Sequence, residues 1–200
     1  MADELAVKLT VARSELILGG QKSGKSRRAE LLARSWLAQS PVHSAVLIAT
    51  AQPWDEEMRE RIARHQADRA ERVPSLSTIE EPVQLAETLG KLSQPHTLVV
   101  VDCLTLWLTN LLMPASNNEP NKPFTHDVRS LIAMLLGAVD GLSGPVVLVG
   151  NEIGLGVIPL GRETRAFVDE LGRLNQDVAQ VCERVTLMVA GLPLTLKGQP

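Results

Sequence analysis

Cysteine is scarce in this chain of 200 residues, which contains Cys103 and Cys182 and no others. The two lie far apart and lack the C-x-x-C spacing of metal-binding and redox motifs. This pattern excludes a disulfide framework and argues against a zinc site. We therefore expect both cysteines to be reduced, buried thiols.

A surplus of positive charge is also missing. The chain has 20 Lys and Arg residues against 23 Asp and Glu residues, which gives a net charge of −3 and an isoelectric point near 5.8. A protein whose main ligand is nucleic acid normally has a basic patch and a high isoelectric point. We expect no nucleic-acid partner, whereas small phosphorylated ligands are compatible with this charge.

A long apolar run is missing from residues 1–14, which include Asp3 and Glu4. Without such a run they resemble neither a signal peptide nor a membrane anchor. We expect a short extension over residues 1–14 and a single domain over residues 15–200, because 44% hydrophobic and 22% charged residues suit one core. No membrane insertion is predicted, and a cytoplasmic location is expected.

A phosphate-binding loop is the most informative feature that the sequence does contain. A match to G-x-x-x-x-G-K-[ST] follows the apolar run Leu16–Leu18 and precedes a helical pattern over Arg27–Gln39. In such a loop, backbone N–H groups converge on phosphate oxygens, Lys25 neutralises their charge and the Ser26 hydroxyl binds Mg²⁺. The predicted nucleotide-binding residues of the loop are Gly19, Gly20, Gln21, Lys22, Ser23, Gly24, Lys25 and Ser26.

Short β-rich runs alternate with longer amphipathic stretches along the chain. This pattern predicts an α/β fold of the P-loop NTPase type, with a mostly parallel sheet and helices on both faces. The predicted strands are Glu15–Leu18, Ala45–Ala49, Leu76–Ile79, Thr97–Asp102, Pro145–Gly150 and Arg184–Val189. The predicted helices are Arg27–Gln39, Trp54–Arg72, Pro82–Leu92, Leu104–Leu112, Thr125–Leu142 and Gly161–Glu183. The segment Met113–Phe124, with three prolines, is predicted to be an exposed loop.

Two carboxylates follow apolar strand patterns, at the sheet edge where ligands bind in open α/β folds. The run Leu98–Val101 ends in Asp102, as expected for a strand whose aspartate orders Mg²⁺ beside the phosphate loop. The run Val146–Gly150 leads to Asn151 and Glu152, so Glu152 can act as a general base on an acceptor hydroxyl or orient metal-bound water. The alternative for both carboxylates is an ordinary capping or turn role.

The charged stretch from residue 55 to residue 72 is predicted to be a helix, and its pattern fits two roles. Opposite charges four residues apart would stabilise an exposed helix that has no further function. Alternatively, Arg61, His65 and Arg69 share one face and form a cationic stripe around an imidazole, which suits a triphosphate. Spacing alone does not decide between the two.

Several blocks of sequence, in their order and spacing, carry a more specific signal. They are Gly19–Arg27, Ile48–Ala51, Asp55–Arg69, Val101–Asn110, Asn151–Gly156 with Pro159, Gly172–Gln176, and Val189–Leu194 with Lys197. Together they resemble the bifunctional adenosylcobinamide kinase/adenosylcobinamide-phosphate guanylyltransferases of cobalamin biosynthesis. The resemblance covers nearly the whole chain, although the phosphate loop alone is shared with many nucleotide hydrolases.

The resemblance implies two reactions in one polypeptide. In the first, ATP or GTP gives its γ-phosphoryl group to the aminopropanol hydroxyl of adenosylcobinamide. In the second, His65 attacks the α-phosphorus of GTP, pyrophosphate leaves, and the GMP passes from the histidine to adenosylcobinamide phosphate. Lys25 is the second catalytic residue, because Lys25, Ser26 and Mg²⁺ would carry the charge on the leaving pyrophosphate.

The same resemblance places more residues at nucleotide-contact positions. They are Thr50, Ala51, Gln52, Arg69, Glu80 and Asp102. The Glu80 carboxylate can accept hydrogen bonds from N1–H and the exocyclic amine of guanine, and its alternative is an ordinary solvated glutamate. The acceptor substrate is expected near Asn151 and Glu152, and a homo-oligomer, in particular a trimer, is expected from the family.

Two other functional classes fit part of the pattern. A small-molecule kinase acting in a single step would use the phosphate loop with Asp102 and Glu152 and leave His65 unmodified. A nucleotide-gated binding module would instead order the loop Met113–Phe124 for a partner. The second is disfavoured, because that loop has no aromatic residue except Phe124 to anchor a partner.

Overall fold

The computed structural model describes residues 9–113, 125–157 and 159–199. The strands in these ranges are β1 Ser14–Gly19, β2 Ser44–Ala49, β3 Leu76–Glu80, β4 Thr97–Asp102, β5 Val146–Val149, β6 Arg184–Val189 and β7 Leu192–Lys197. The helices are α1 Lys25–Gln39, α2 Glu56–Arg72, α3 Leu85–Leu92, α4 Leu104–Leu112, α5 Thr125–Gly141 and α6 Arg162–Val181. The loop predicted at Met113–Phe124 lies outside the described residues from residue 114 onwards.

The strands form one sheet in the order β3-β2-β4-β5-β1-β6-β7. Neighbouring strands are parallel except for β6 and β7, which are antiparallel. This arrangement confirms the predicted mostly parallel α/β sheet. Since β4, β5 and β1 are adjacent and parallel, their carboxyl ends meet at one edge, and that edge carries Asp102, Asn151 and the phosphate loop.

Side chains of the strands alternate between two buried clusters, one on each face of the sheet. In β1, Leu16 and Leu18 join the cluster that packs against α3 to α6, whereas Ile17 joins the cluster that packs against α1. Alternation of this kind follows from the two-residue period of a strand with both faces buried. Helices therefore cover both faces, as predicted. Among the described residues, no helix is long and apolar enough to cross a membrane.

A buried ionic cluster joins the central strand β1 to α1 and β6. The carboxylate of Glu15, which is fully buried, accepts hydrogen bonds from Arg28 Nε at 3.0 Å, Arg184 Nη1 at 3.3 Å and Thr186 Oγ1 at 2.8 Å. Charges are tolerated at such depth only when they are paired and hydrogen-bonded. Because Arg28 lies in the first turn of α1, the cluster fixes the end of the phosphate loop against the sheet.

Strand β7 departs from the prediction, which contains no strand after β6. It pairs with β6 at the edge of the sheet, and Pro193, its second residue, weakens the usual sequence signal for a strand. Proline is tolerated there because an edge strand does not need every N–H group for a ladder. The other predicted strands and helices all occur, and their ends differ from the prediction by at most three residues.

Both cysteines are free and buried, which confirms the prediction for them. Burial raises the pKa of the Cys103 thiol to about 12, with a further contribution from the charge of Asp102. Burial likewise raises the pKa of Cys182 to about 12. Both thiols are therefore protonated at neutral pH and poor nucleophiles.

Candidate nucleotide site

The phosphate loop connects β1 to α1 through backbone conformations that few residue types adopt. Positive φ angles occur at Gly19 (154°), Lys22 (54°) and Gly24 (101°). A Cβ atom at Gly19 would lie 2.5 Å from Ser23 Oγ and 2.6 Å from the carbonyl oxygen of Met188, so glycine is required for space as well as for conformation. The loop ends on the N-terminus of α1, where free N–H groups favour an anion.

The side chain of Lys25 is hydrogen-bonded to the backbone of the phosphate loop. Its side chain is buried, and Nζ donates a hydrogen bond to the carbonyl oxygen of Gly20 at 2.6 Å. Desolvation lowers the pKa of Lys25 from its usual 10.5; nearby Cys103 and Asp102 oppose the shift, and Arg61 adds to it. Bound phosphate would restore a counter-charge to this buried ammonium group.

A cleft of about 800 Å³ opens between the phosphate loop, the carboxyl edge of the sheet and α2. Many of the predicted site residues line it: Gln21, Lys22, Ser23, Gly24, Lys25, Ser26, Ala51, His65, Arg69, Glu80, Asp102 and Asn151. The cleft also includes Met58, Arg64, Arg72 and Leu106, which the sequence analysis does not single out. The main result is that His65, from α2, faces the same space as the phosphate loop.

The hydroxyl of Thr50, a predicted nucleotide contact, is hydrogen-bonded inside the protein. Its side chain is fully buried, its Oγ1 donates to the carbonyl oxygen of Cys103 at 2.7 Å, and it accepts from Cys103 N at 2.8 Å. The hydroxyl therefore joins the ends of β2 and β4 and does not point at the cleft. Gln52, two residues later, is not part of the cleft lining either, and neither are Gly19 and Gly20.

Glu152 lies beside the cleft and is used by its own loop. Its Oε1 accepts a hydrogen bond from Gly154 N at 2.9 Å, and its backbone N donates to Gly19 O at 3.1 Å. One carboxylate oxygen, Oε1, thus has the turn-forming role that the sequence left as an alternative, and the general-base role of Glu152 stays a prediction. Asn151, immediately before it, does line the cleft.

Helix α2 is capped and tied to the rest of the protein by its polar residues. Asp55 caps its N-terminus through a hydrogen bond from Met58 N at 2.7 Å. At the other end, Arg72 pairs with Asp68 at 3.1 Å and with the buried carboxylate of Glu30, in α1, at 2.8 Å. The pair between Arg72 and Glu30 links the helix that carries His65 to the helix that follows the phosphate loop.

The oxygen atoms of Ser26 and Asp102 are the donors that Mg²⁺ prefers, and both residues line the cleft. Among the described residues, no group of three or more histidines, cysteines, aspartates or glutamates is arranged to hold a metal. Mg²⁺ usually keeps several waters and binds one or two protein oxygens together with substrate phosphates. The residues present therefore fit a metal ion that arrives with a nucleotide.

The family relationship of the chain follows from a match over nearly its full length. Residues 15–196 match the family described as cobinamide kinase / cobinamide phosphate guanyltransferase. The chain belongs to this family. This result confirms the predicted family and the predicted enzyme class, a bifunctional kinase and guanylyltransferase.

Named relatives agree with the family assignment. The bifunctional adenosylcobalamin biosynthesis protein CobP of Pseudomonas aeruginosa is 49% identical over 187 residues, which cover 93% of this chain and 98% of the relative. The bifunctional adenosylcobalamin biosynthesis proteins CobU of Escherichia coli K12 and Salmonella typhimurium LT2 are each 33% identical, over 91% of this chain and 98% of the relative.

Solved structures support the fold of this family member and nothing finer. A protein from Pyrococcus horikoshii OT3 superposes with a TM-score of 0.53 and 12% identity, covering 96% of this chain and 89% of its own. The flagellar accessory protein FlaH from Methanocaldococcus jannaschii gives a TM-score of 0.50 at 12% identity, covering 96% of this chain and 80% of its own. These structures confirm the predicted α/β fold, on which this chain carries its phosphate loop between β1 and α1.

Proposed function

We propose that this enzyme phosphorylates adenosylcobinamide with ATP or GTP and then transfers GMP from GTP to adenosylcobinamide phosphate through a guanylyl-histidine at His65. The family assignment supports the two activities. The observation that carries the mechanism is the common cleft, because His65 and the phosphate loop line one space of about 800 Å³. A single GTP bound there can present its phosphates to Lys25 and its α-phosphorus to the imidazole.

In the kinase step, the acceptor hydroxyl attacks the γ-phosphorus. The new O–P bond forms as the bond from the γ-phosphorus to its bridging oxygen breaks, and the nucleoside diphosphate leaves. Lys25 and the N-terminus of α1 stabilise charge on the transferred group. Mg²⁺ held by Ser26 and Asp102 would supply further charge neutralisation at the phosphates. Asn151 lines the cleft at the edge where we place the acceptor.

In the guanylyl step, an imidazole nitrogen of His65 attacks the α-phosphorus of GTP, and the bond from the α-phosphorus to the α–β bridging oxygen breaks with loss of pyrophosphate. A phosphate oxygen of adenosylcobinamide phosphate then attacks the same phosphorus and breaks the N–P bond, which regenerates His65. Arg61 and Arg69 line the cleft with His65. Their positive charges suit the phosphates on either side of the reacting atom.

Glu80 is the proposed guanine contact. It is exposed at the end of β3 and lines the same cleft as His65. A carboxylate accepts from both N1–H and the exocyclic amine of guanine, whereas adenine offers no donor at position 1. This position supports a preference for GTP in the guanylyl step.

The test is covalent labelling with GTP that carries the label on its α-phosphate, with Mg²⁺ present and an alkaline quench because phosphoramidates are acid-labile. We expect label on the wild type, none on His65→Ala, and full labelling of His96→Ala. His96 is a matched control, because it is exposed and lies outside the cleft lining. Addition of adenosylcobinamide phosphate should discharge the label.

An unlabelled wild type with active phosphorylation of adenosylcobinamide would contradict the guanylyl-histidine and favour the single-step kinase.

The same preparation also tests the proposed homotrimer. Light scattering should then give three times the chain mass of 21.7 kDa. A monomeric mass would contradict that part of the proposal.

A further inference from the structure

The side chain of Asn175 is buried where the chain leaves β5. Asn175 lies in α6 and is 4% exposed. Its Nδ2 donates to the carbonyl oxygen of Asn151 at 3.0 Å and faces Glu152 Oε2 at 3.4 Å. One amide group therefore fixes both the backbone of Asn151 and the carboxylate of Glu152.

Two other elements hold the same short segment. The backbone N of Asn151 donates to Thr105 Oγ1, in α4, at 2.8 Å. The backbone N of Glu152 donates to the carbonyl oxygen of Gly19, at the start of the phosphate loop, at 3.1 Å. The segment is thus fixed from α4, α6 and the phosphate loop together. Its Asn151 side lines the cleft.

An amide is the side chain that this position requires. The NH₂ group of asparagine offers two donors to two acceptors, whereas an aspartate would place a negative charge against a carbonyl and a carboxylate. Glycine at position 150 leaves the necessary room, since a Cβ atom there would lie 3.3 Å from Asn175 Oδ1. That Oδ1 is buried without a hydrogen-bond partner in the described part of the chain. The orientation that directs Nδ2 of Asn175 at Asn151 and Glu152 therefore leaves Oδ1 of the same amide unsatisfied.

We infer that Asn175 is a positioning residue for phosphoryl transfer to the acceptor hydroxyl, acting through Asn151 and Glu152. The inference rests on the proposed function, which places the acceptor at the cleft edge that Asn151 lines, next to Glu152 in the chain. As the hydroxyl oxygen bonds to the γ-phosphorus and the nucleoside diphosphate leaves, the hydroxyl proton passes to the Glu152 carboxylate. Asn175 holds that carboxylate beside the start of the phosphate loop. A small displacement of a positioned group is enough to slow such a reaction substantially.

The test replaces Asn175 by aspartate, which keeps the shape and removes the donors. We expect kcat for phosphorylation to fall by about 10- to 100-fold. The KM for the nucleotide should change by less than about 2-fold, because no phosphate-loop contact is altered. Guanylylation of His65 by GTP should keep its wild-type rate, since that step does not use Glu152. Gln176→Glu is the matched control, because it makes the same chemical change at an exposed neighbour in α6.

A double-mutant cycle separates positioning from a general structural effect. In a Glu152→Gln background, Asn175→Asp should cost less than about 3-fold in kcat, because the group through which Asn175 acts is already impaired. Unchanged kcat in Asn175→Asp, or the same loss in both backgrounds, would overturn the inference. If Asn175→Asp does not fold, Asn175→Ser takes its place with the same expected loss. A wild type without phosphorylation activity would instead overturn the proposed function itself.

Discussion

Replacing Glu15 by alanine tests whether the buried ionic cluster anchors the phosphate loop to the sheet. The substitution leaves Arg28, 8% exposed, and Arg184, 6% exposed, without their carboxylate. It also removes the acceptor of the Thr186 hydroxyl. Both guanidinium groups would be almost as deeply buried as before but no longer paired with Glu15.

The expected cost follows from this geometry. Removing one partner from a buried ion pair typically destabilises a protein by about 3–5 kcal/mol, because a charge stays buried without compensation. Glu15→Gln retains the volume and one acceptor oxygen, so its cost should be smaller, about 1.5–3 kcal/mol. With a urea m value of about 2 kcal/mol/M, Glu15→Ala should lower the unfolding midpoint by about 2 M.

Urea unfolding followed by circular dichroism measures this difference. Glu87→Ala is the matched control, because Glu87 pairs with Lys91 at 2.5 Å on the exposed surface of α3, and we expect no resolvable change in the midpoint. A shift for Glu15→Ala no larger than that of the control would refute the argument. It would mean that water or a rearranged side chain compensates both arginines.

Three further predictions follow from other features. Nucleotide affinity should decline as the pH rises through the lowered pKa of Lys25, because phosphate binds the charged ammonium group. The decline should begin at a lower pH than it would for a lysine with the usual pKa of 10.5, and titration calorimetry should show no such decline for Lys25→Arg. Arg72→Ala should destabilise the protein by about 1–3 kcal/mol in thermal unfolding, because it leaves the buried Glu30 carboxylate without its partner. Glu30→Ala should destabilise it by less than about 1 kcal/mol, because the Arg72 guanidinium that remains is hydrated. Equal losses of stability in the two variants would contradict this prediction. With pKa values of about 12, Cys103 and Cys182 should both resist iodoacetamide in native protein and react in urea, as mass spectrometry would show.

Much of the fold could be predicted because its signals are local. The apolar runs, the glycine spacing of the phosphate loop and the helical periodicities each depend on a few neighbouring residues. The strand β7 was missed although Leu192, Leu194 and Leu196 alternate with a period of two, because Pro193 lies within that alternation and argues against a strand. Edge strands of this kind depend on pairing with β6, which a local pattern does not contain.

The candidate site was less predictable, because its details depend on distant contacts. Most residues from the family resemblance, including His65 and Glu80, line one cleft, whereas Thr50 and Gln52 do not. The orientation of the Thr50 hydroxyl is set by Cys103, 53 positions away, and no neighbour of Thr50 indicates it. Asn175 likewise meets Asn151 from a different helix, so spacing gives no sign of its contact.

The hydrogen bond from Lys25 to Gly20 has a consequence for ligand selectivity. An ammonium group has three N–H donors, and the carbonyl oxygen of Gly20 occupies one of them, so two are left for an entering phosphate. The bond orients the lysine before any ligand arrives, which reduces the side-chain freedom that is lost on binding. This advantage is the same for every phosphate-bearing anion. Discrimination between a nucleotide and inorganic phosphate therefore has to come from contacts elsewhere in the cleft.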